Sequence, residues 1–331
     1  MIKKEKVLLV TVSDDRFGRK GGEYEKTQAK IEYIFKRNPS FGITDFFMLK
    51  WPDIEGSQFF EDNKLLLSHK DAGKNGRAYK PYAISEALKS LEIGDYIIYT
   101  DCSPEMWNMP QGFHISKEVY DIEVLKDLCK NNDNILTCFV KWKDKKLEQG
   151  ELGLHKHKYF TLNRCMDKMG LRFYEDGYQH ASGMMVIRKT EETVEFVGEW
   201  LKWNLIDECC ALGPVTDNTD SYWKEEHDFK LGHRHDQSIS GILLNRKNQK
   251  LVDIIYNTIN PYNFMQYARL GEEYSFIESL PEIKQGDKIM NKKGIELEVF
   301  RIDIENGKKR YIVGQLQESC YGCAREDIKL I

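Results

Sequence analysis

The segment GDYIIYTDCSPEMW, residues 94–107, decides how the fold is interpreted. Its apolar run, residues 96–99, lies between Gly94 and Pro104, and Asp101 follows the run almost at once. A short apolar run between such residues is typical of a buried strand, which would carry Asp101 at its carboxyl end. Ligands bind at that edge of open α/β sheets. Asp101 is therefore a candidate ligand contact, with capping of the next turn as the alternative.

Apolar runs alternate with amphipathic segments on both sides of this strand. Further strands are predicted at residues 6–13, 42–51, 134–140 and 181–189. Helices are predicted at residues 24–38, 80–94, 117–131, 190–212 and 236–248. Residues 141–180 suit loops and short helices above an active-site edge. The alternation favours an α/β sandwich with a largely parallel sheet.

The hydrophobic period changes to two near the C-terminus. Two alternating runs flank Glu305-Asn306-Gly307, a sequence typical of a β-hairpin turn. We therefore predict two domains, an α/β domain at residues 1–280 and a small all-β module, an SH3-like barrel, at residues 284–331.

Composition limits the class of protein. The 331 residues carry a formal net charge of −4 and a pI of about 6.1, which argues against nucleic acid as the main partner. No apolar run is long enough to span a bilayer or to form a signal-peptide core, so we expect a cytoplasmic protein with reduced cysteines. Cys320 and Cys323 form one Cys-x-x-Cys pair without a second, consistent with a turn or half of a zinc site.

A second polar cluster occurs in the segment HRHDQSISGIL, residues 233–243. It places His233, Arg234, His235, Asp236 and Gln237 at the start of a predicted helix. Capping explains Asp236 at a helix start but not the histidines, the arginine or the glutamine.

The strand-end acid, the strand ASGMMVI at residues 181–187 and the helix-heading HDQSI together resemble GT-A-type glycosyltransferases. The order is that of the retaining galactosyltransferase-like enzymes of bacterial surface polysaccharide (capsule or lipopolysaccharide) synthesis. Those enzymes carry Asp-x-Asp, an Asn-Ala-Gly strand and Asp-Gln at these points. KPYAISEAL, residues 80–88, matches the helix before the acid motif, and YFTLNRCMDKMG, residues 159–170, resembles an acceptor-side segment. The resemblance covers residues 5–265.

The resemblance implies a GT-A-like fold and a set of site residues. The catalytic candidates are Asp101, Asp236 and Gln237. The nucleotide-sugar contacts would be Thr11, Ser13, Asp14, Arg77, Lys80, Tyr99, Thr100, Ser103, Ser182 and Gly183. Mn²⁺ or Mg²⁺ would be held by Asp101, Ser103 and His235, weakly or only with substrate, because Ser103 stands where the family has a second acid.

The implied reaction moves a sugar from a nucleotide-diphosphate donor to a hydroxyl of a glycan or lipid-linked acceptor. Peripheral contact with the inner membrane would follow from a lipid-linked acceptor. Retention and inversion both stay open, since inversion would need Asp236 as a general base. One alternative is a metal-dependent nucleotide-sugar phosphohydrolase built on Asp101, His233, His235 and Asp236. Another is a non-catalytic nucleotide-binding scaffold whose C-terminal barrel binds RNA or protein.

Two further polar segments are not expected to bind a ligand. GKNGR, residues 73–77, lacks the context and the ending of a phosphate-binding P-loop. HKHK, residues 155–158, is expected to be a solvated loop, with metal ligation as the alternative.

Overall fold

The computed structural model describes residues 5–17, 23–37, 39–68, 77–103, 122–139, 156–209, 233–247, 288–291, 296–305, 308–314, 321–323 and 328–330. Beyond residue 287 the description is of the backbone alone. Contacts between residues divide the chain into two compact units, residues 1–268 and residues 269–331.

A mixed five-stranded sheet forms the centre of the first unit. Its strands are β1 (Val7–Ser13), β2 (Asp45–Lys50), β3 (Tyr96–Thr100), β4 (Ile135–Phe139) and β5 (His180–Arg188). They lie side by side in the order β2-β1-β3-β5-β4. β1 is parallel to β2 and β3, whereas β5 is antiparallel to β3 and β4. Four strands therefore run in one direction, and β5 runs against them.

The direction of β5 corrects the prediction of a largely parallel sheet. Because β5 is antiparallel to β3, its first residues meet the last residues of β3. Thr100 pairs with Met184, and the Asp101 N–H donates to the Gly183 carbonyl at 2.7 Å. A buried apolar run has the same composition in either direction, so the sequence did not reveal this reversal. The reversal brings Ser182 and Gly183 to the edge that carries Asp101.

Helices pack on both faces of the sheet. They are α1 (Glu23–Arg37), α2 (Trp51–Glu55), α3 (Gln58–Asp62), α4 (Lys64–Leu67), α5 (Tyr79–Lys89), α6 (Ile122–Asn131), α7 (His157–Phe160), α8 (Asn163–Met169), α9 (Glu191–Asn204) and α10 (Asp236–Arg246). Leu8 and Val10 of β1 point into a core shared with α5, α9 and α10, whereas Val7 and Leu9 point into a core shared with α1 and α6. This layering confirms the predicted α/β class.

Two helices end earlier than predicted. α5 ends at Lys89, where the Ser90 hydroxyl donates to the Ala87 carbonyl at 2.8 Å. α9 ends at Asn204, whose side-chain amide donates to the Trp200 carbonyl at 2.8 Å. Such side-chain bonds to the last carbonyls compete with continuation of a helix. Throughout the described ranges, no helix is both long and apolar enough to cross a bilayer.

The second unit contains an antiparallel sheet. Its strands are β6 (Lys288–Asn291), β7 (Glu296–Glu305), β8 (Lys308–Gly314), β9 (Tyr321–Cys323) and β10 (Ile328–Leu330), in the order β10-β6-β7-β8-β9. Glu305 pairs with Lys308, which confirms the predicted hairpin. Closure into an SH3-like barrel stays a prediction. The predicted domain boundary at residues 280–284 and the side chains of Cys320 and Cys323 lie outside what is described.

Candidate functional site

Asp101 lies at the carboxyl edge of the sheet, directly after β3. Its Oδ1 accepts a hydrogen bond from the Tyr99 hydroxyl at 2.7 Å, because alternate residues of a strand share a face. The side chain keeps 27% of its surface exposed. Thr100 is buried, and its hydroxyl donates to the Asp101 carbonyl at 3.1 Å. Ser103 is half-buried two residues further on. Asp101 is thus oriented by its neighbours and still reachable from solvent.

Lys80 joins Asp101 to Asp236. From α5, its Nζ lies 3.1 Å from Asp101 Oδ1 and 2.7 Å from Asp236 Oδ2. Ser182 lies beside them: its Oγ is 3.2 Å from Lys80 Nζ and donates to Asp236 Oδ2 at 2.6 Å. The side chains of Lys80 and Asp236 are each only 3% exposed. Four residues predicted from separate segments therefore form one hydrogen-bonded cluster.

Asp236 is the first residue of α10, and His235 is the N-cap. The alternative interpretation, in which Asp236 caps its own helix, is therefore wrong, because its carboxylate is directed to Lys80 and Ser182. The Trp200 indole N–H donates to the Asp236 backbone carbonyl at 2.9 Å, which fixes the start of α10 against α9.

The cluster keeps Lys80 charged although it is buried. Burial works against the ammonium, but the carboxylates of Asp101 and Asp236 outweigh it and hold the pKa of Lys80 above its ordinary value. Arg77, whose backbone φ is +52°, shows the same balance: burial opposes its charge, while Tyr79, Asp236 and Asp101 raise its pKa. Two cations and two carboxylates therefore share this edge of the sheet.

The buried ring of His235 interacts with the cations Arg77 and Arg234. Both of its ring nitrogens are buried without a hydrogen-bond partner in the ranges the structure describes. Its backbone φ of +50° is uncommon for a residue with a side chain. Burial first, and then Arg77, His233 and Arg234, hold the pKa of His235 well below its ordinary value. Unpaired buried nitrogens in a strained backbone are typical of a ligand site.

Arg234 lies next to His235 and is only partly buried. Its backbone N–H donates to Ser238 Oγ at 2.9 Å, and its guanidinium lies 5.2 Å from the centre of the Phe160 ring. Burial and the neighbouring Arg77 lower the pKa of Arg234. Within the described residues no carboxylate forms an ion pair with Arg234. The guanidinium is thus available to an anion.

At the end of β1, the predicted site residues are buried and hydrogen-bonded to neighbouring side chains. Thr11, Ser13 and Asp14 are buried. The Ser13 hydroxyl donates to Gln28 Oε1 at 3.2 Å, and Asp14 accepts two hydrogen bonds from the Arg16 guanidinium, at 2.9 and 2.7 Å. The predicted base contact of these residues stays a prediction. Asp14 is already paired with Arg16, as Asp101 and Asp236 are with Lys80.

Gln237 and His233 support the structure around the site. The Gln237 side-chain amide donates to Gln179 Oε1 at 2.9 Å. His233 Nδ1 accepts from the Leu162 N–H at 3.3 Å, and its Nε2 donates to the Cys209 carbonyl at 2.9 Å. Both ring nitrogens of His233 are therefore used by the backbone, which does not favour this histidine as a metal ligand.

His157 corrects the prediction of a solvated loop at residues 155–158. Its side chain is fully buried. Its Nδ1 lies 3.2 Å from Thr161 Oγ1, and its Nε2 lies 3.0 Å from Asn245 Nδ2. Gly241 leaves the space for the ring, since a Cβ there would lie 2.8 Å from His157 Cε1. The polar run around His157 concealed one buried structural residue.

The donors predicted for Mn²⁺ or Mg²⁺ do not fit a metal held by the protein alone. In the described part of the chain, no three His, Cys, Asp or Glu side chains are grouped closely enough to hold an ion. Asp101 and Asp236 already share the Lys80 ammonium. The charged groups that act on His235 are cations. Hard divalent ions need several oxygen ligands, which are not free here.

Trp200 and Tyr79 were not predicted as site residues. Trp200 positions Asp236, but it lies on the apolar face of an amphipathic helix and so has the pattern of a core residue. Tyr79 is half-buried, and the burial of its hydroxyl raises the pKa of that group. It interacts electrostatically with Arg77, Asp14, Asp101 and Asp236. A tyrosine beside KPYAISEAL gave no sign of this position.

No protein-family model matches the chain, and no curated protein is similar enough to count as a relative. The chemistry of the site is therefore argued from its own residues.

Proposed function

We propose that the protein is a glycosyltransferase that moves a sugar from a nucleotide-diphosphate donor to a hydroxyl acceptor. One observation carries the proposal: Asp101, Lys80, Ser182 and Asp236, from four separate segments, meet at the carboxyl edge of β3. These are segments on which the GT-A resemblance rests. The mixed five-stranded sheet with helices on both faces is compatible with that resemblance.

The charges suit a leaving group that becomes more negative. As the bond to the sugar breaks, negative charge develops on the diphosphate, and preorganised cations stabilise it. Arg77 and Arg234 lie on the cationic side of the site, near the buried ring of His235. Arginine pairs with phosphate through two parallel hydrogen bonds. These two side chains are the proposed contacts of the diphosphate.

The two acids would have different roles. Asp101 is partly exposed and is the proposed contact with the donor or the acceptor. Asp236 is buried and paired with Lys80 and Ser182, so it acts as a positioning residue. A general base must reach the acceptor hydroxyl. The pairing of Asp236 therefore favours a path in which the diphosphate, not Asp236, takes the acceptor proton, and hence retention.

The setting of the reaction is part of the proposal. The acceptor would be a glycan or a lipid-linked sugar in bacterial surface polysaccharide synthesis. With a lipid-linked acceptor, a cytoplasmic enzyme would work in peripheral contact with the inner membrane. The second unit is proposed to form an SH3-like barrel.

A transfer screen tests the proposal. The protein is incubated with UDP-, GDP-, ADP- and CDP-sugars and simple alkyl glycosides as acceptors, with MnCl₂ and separately with EDTA. We expect release of a nucleoside diphosphate together with a longer glycoside, detected by mass spectrometry. Release of nucleotide without a glycoside would favour the phosphohydrolase. Binding without turnover would favour the scaffold, and no binding of any nucleotide would contradict all three functions.

A further inference from the structure

The cation that bridges Asp101 and Asp236 belongs to the chain itself. Lys80 Nζ lies within 3.1 Å of an oxygen of each carboxylate. The Ser182 hydroxyl oxygen lies 3.2 Å from the same ammonium. Two carboxylates and a hydroxyl oxygen around one point are ligands that a hard divalent ion would accept. Here an ammonium occupies that point.

We propose that the Lys80 ammonium takes the place of a divalent metal ion, so that the site binds a nucleoside diphosphate without one. The nucleotide part of this inference rests on the proposed function. The part that concerns Lys80 and the two carboxylates stands on the geometry alone.

Burial makes this ammonium difficult to displace. Lys80 and Asp236 are almost completely enclosed. Removing a charged partner from a buried pair leaves the other charge without compensation, which is strongly unfavourable. An ion from solvent would have to expel the ammonium from two carboxylates and the Ser182 hydroxyl. The parent protein should therefore not accept Mn²⁺ at this point.

The site also has positive charge beyond what its carboxylates require. The cluster of Asp101 and Asp236 includes Lys80 and Arg77, which already balance its two negative charges. Arg234 comes in addition, and it has no carboxylate partner among the residues the structure describes. A nucleoside diphosphate carries its charge on phosphate oxygens, which arginine binds well. Arg234 can therefore supply part of the positive charge that a metal ion would otherwise bring to the diphosphate.

The first experiment uses the unmodified protein. UDP, GDP and ADP are titrated calorimetrically into it, once in EDTA and once in millimolar MnCl₂, and MnCl₂ is titrated without nucleotide. We expect one nucleotide to bind with the same affinity in both buffers, within roughly twofold, since its phosphates pair with arginine. We expect no binding of Mn²⁺ alone. An affinity that rises tenfold or more with Mn²⁺, or tight Mn²⁺ binding without nucleotide, would overturn the proposal.

The second experiment removes the ammonium from between the two carboxylates by the substitution Lys80→Ala. Without the ammonium between them, the carboxylates of Asp101 and Asp236 should then take Mn²⁺, which would raise the melting temperature by several degrees through mass action. Lys126→Ala is the matched control, because Lys126 is also a buried lysine between two carboxylates, those of Glu5 and Glu123. Neither of its partners is enclosed as Asp236 is, so this variant should gain no response to Mn²⁺.

The double variant Lys80→Ala/Asp101→Asn removes one proposed ligand and should lose the gain. A folded Lys80→Ala protein that is indifferent to Mn²⁺ would overturn the proposal. If Lys80→Ala does not fold, the titrations of the parent still show whether nucleotide binding needs a metal ion. If no nucleotide binds to the parent, the proposed function fails, but the Mn²⁺ response of Lys80→Ala still decides what Lys80 replaces.

Discussion

β3 carries a buried tyrosine toward each of its ends, and a buried lysine lies over each ring. Lys126 Nζ is 5.5 Å from the centre of the Tyr96 ring, near the amino end of the strand. Lys80 Nζ is 5.5 Å from the centre of the Tyr99 ring, near the carboxyl end. Each ammonium also lies between two carboxylates. The same combination of a tyrosine, a lysine and two carboxylates therefore occurs at both ends of one strand.

The two ends differ in how their carboxylates meet solvent. Glu5 and Glu123 are 32% and 64% exposed, so water stabilises their charges. At the carboxyl end Asp101 is 27% exposed, but Asp236 is only 3% exposed and depends on Lys80 and Ser182. Tyr99 donates to Asp101, whereas the Tyr96 hydroxyl is buried without a partner in the described ranges. The amino end is a structural ion pair, and the carboxyl end has the closed polar organisation of a site.

Substitution of each lysine should show the largest difference in stability between the two ends of β3. In Lys80→Met, two carboxylates lose a buried cation, and we expect the free energy of unfolding to fall by about 3–5 kcal/mol. In Lys126→Met the loss should be about 0–1 kcal/mol, because neither partner is buried and the methionine keeps the apolar stem packed. Urea unfolding of both variants measures the difference. Equal losses would remove the distinction between the two ends.

Neutralising one acid at each end of β3 should lower the transfer activity at the carboxyl end only. Asp101→Asn should lower transfer by roughly 10²-fold, because the acid at the carboxyl edge is the proposed contact with the reacting groups. Glu5→Gln should leave transfer unchanged, since Glu5 is a half-buried carboxylate that pairs with Lys126 at the opposite edge. Initial rates with the donor and acceptor from the transfer screen provide the measurement. Near-parent turnover by Asp101→Asn would end the case for this acid.

Acid should destabilise the protein through His180, the first residue of β5. Burial lowers the pKa of His180 to about 4 from its ordinary value of 6.5, so the folded state keeps the ring neutral. Between these two pH values the unfolded state binds a proton that the folded state does not. The free energy of unfolding should therefore fall as the pH decreases through this window, by up to about 1.4 kcal/mol per pH unit.

The substitution His180→Gln tests that assignment, because glutamine can still hydrogen bond to Thr137, the partner of His180 Nδ1 at 2.8 Å. Urea unfolding at several pH values should show a flatter pH dependence for His180→Gln than for the parent. An unchanged slope would assign the acid sensitivity to other groups, of which His235 is the first candidate because its pKa is also lowered.

Removal of the hydroxyl from each tyrosine of β3 should change the free energy of unfolding less than the substitution of Lys80. Tyr99→Phe removes a hydrogen bond to a carboxylate and should cost about 1.5–3 kcal/mol. Tyr96→Phe removes a buried hydroxyl without a described partner, so it should be neutral or slightly stabilising. Both changes remove one oxygen from the same strand, which makes each the control of the other. A larger loss in Tyr96→Phe would show that its hydroxyl has a partner after all.

Local patterns in the sequence were sufficient for most of the elements and for the acids at their ends, but the short helices α2, α3 and α4 were not predicted. Asp101 follows an apolar run and Asp236 begins a helix, and both positions were predicted from that alone. The link between them was not, because Lys80 lies 156 residues from Asp236 in the chain and meets it only through the packing of α5 and α10 against one core. The direction of β5 and the burial of His157 were missed for a similar reason. Both depend on neighbours that are distant in sequence.

Hydrogen exchange on addition of nucleotide tests the central claim most directly, because ligand binding slows exchange where it stabilises the backbone. The ligand is whichever of UDP, GDP and ADP binds most tightly in the titrations. We expect slower exchange at residues 99–103, 180–184 and 233–240, around Asp101, Ser182 and His235. We expect no change at residues 122–131, which contain Lys126. Slower exchange at residues 122–131, or none at the carboxyl edge with a nucleotide bound, would contradict this account.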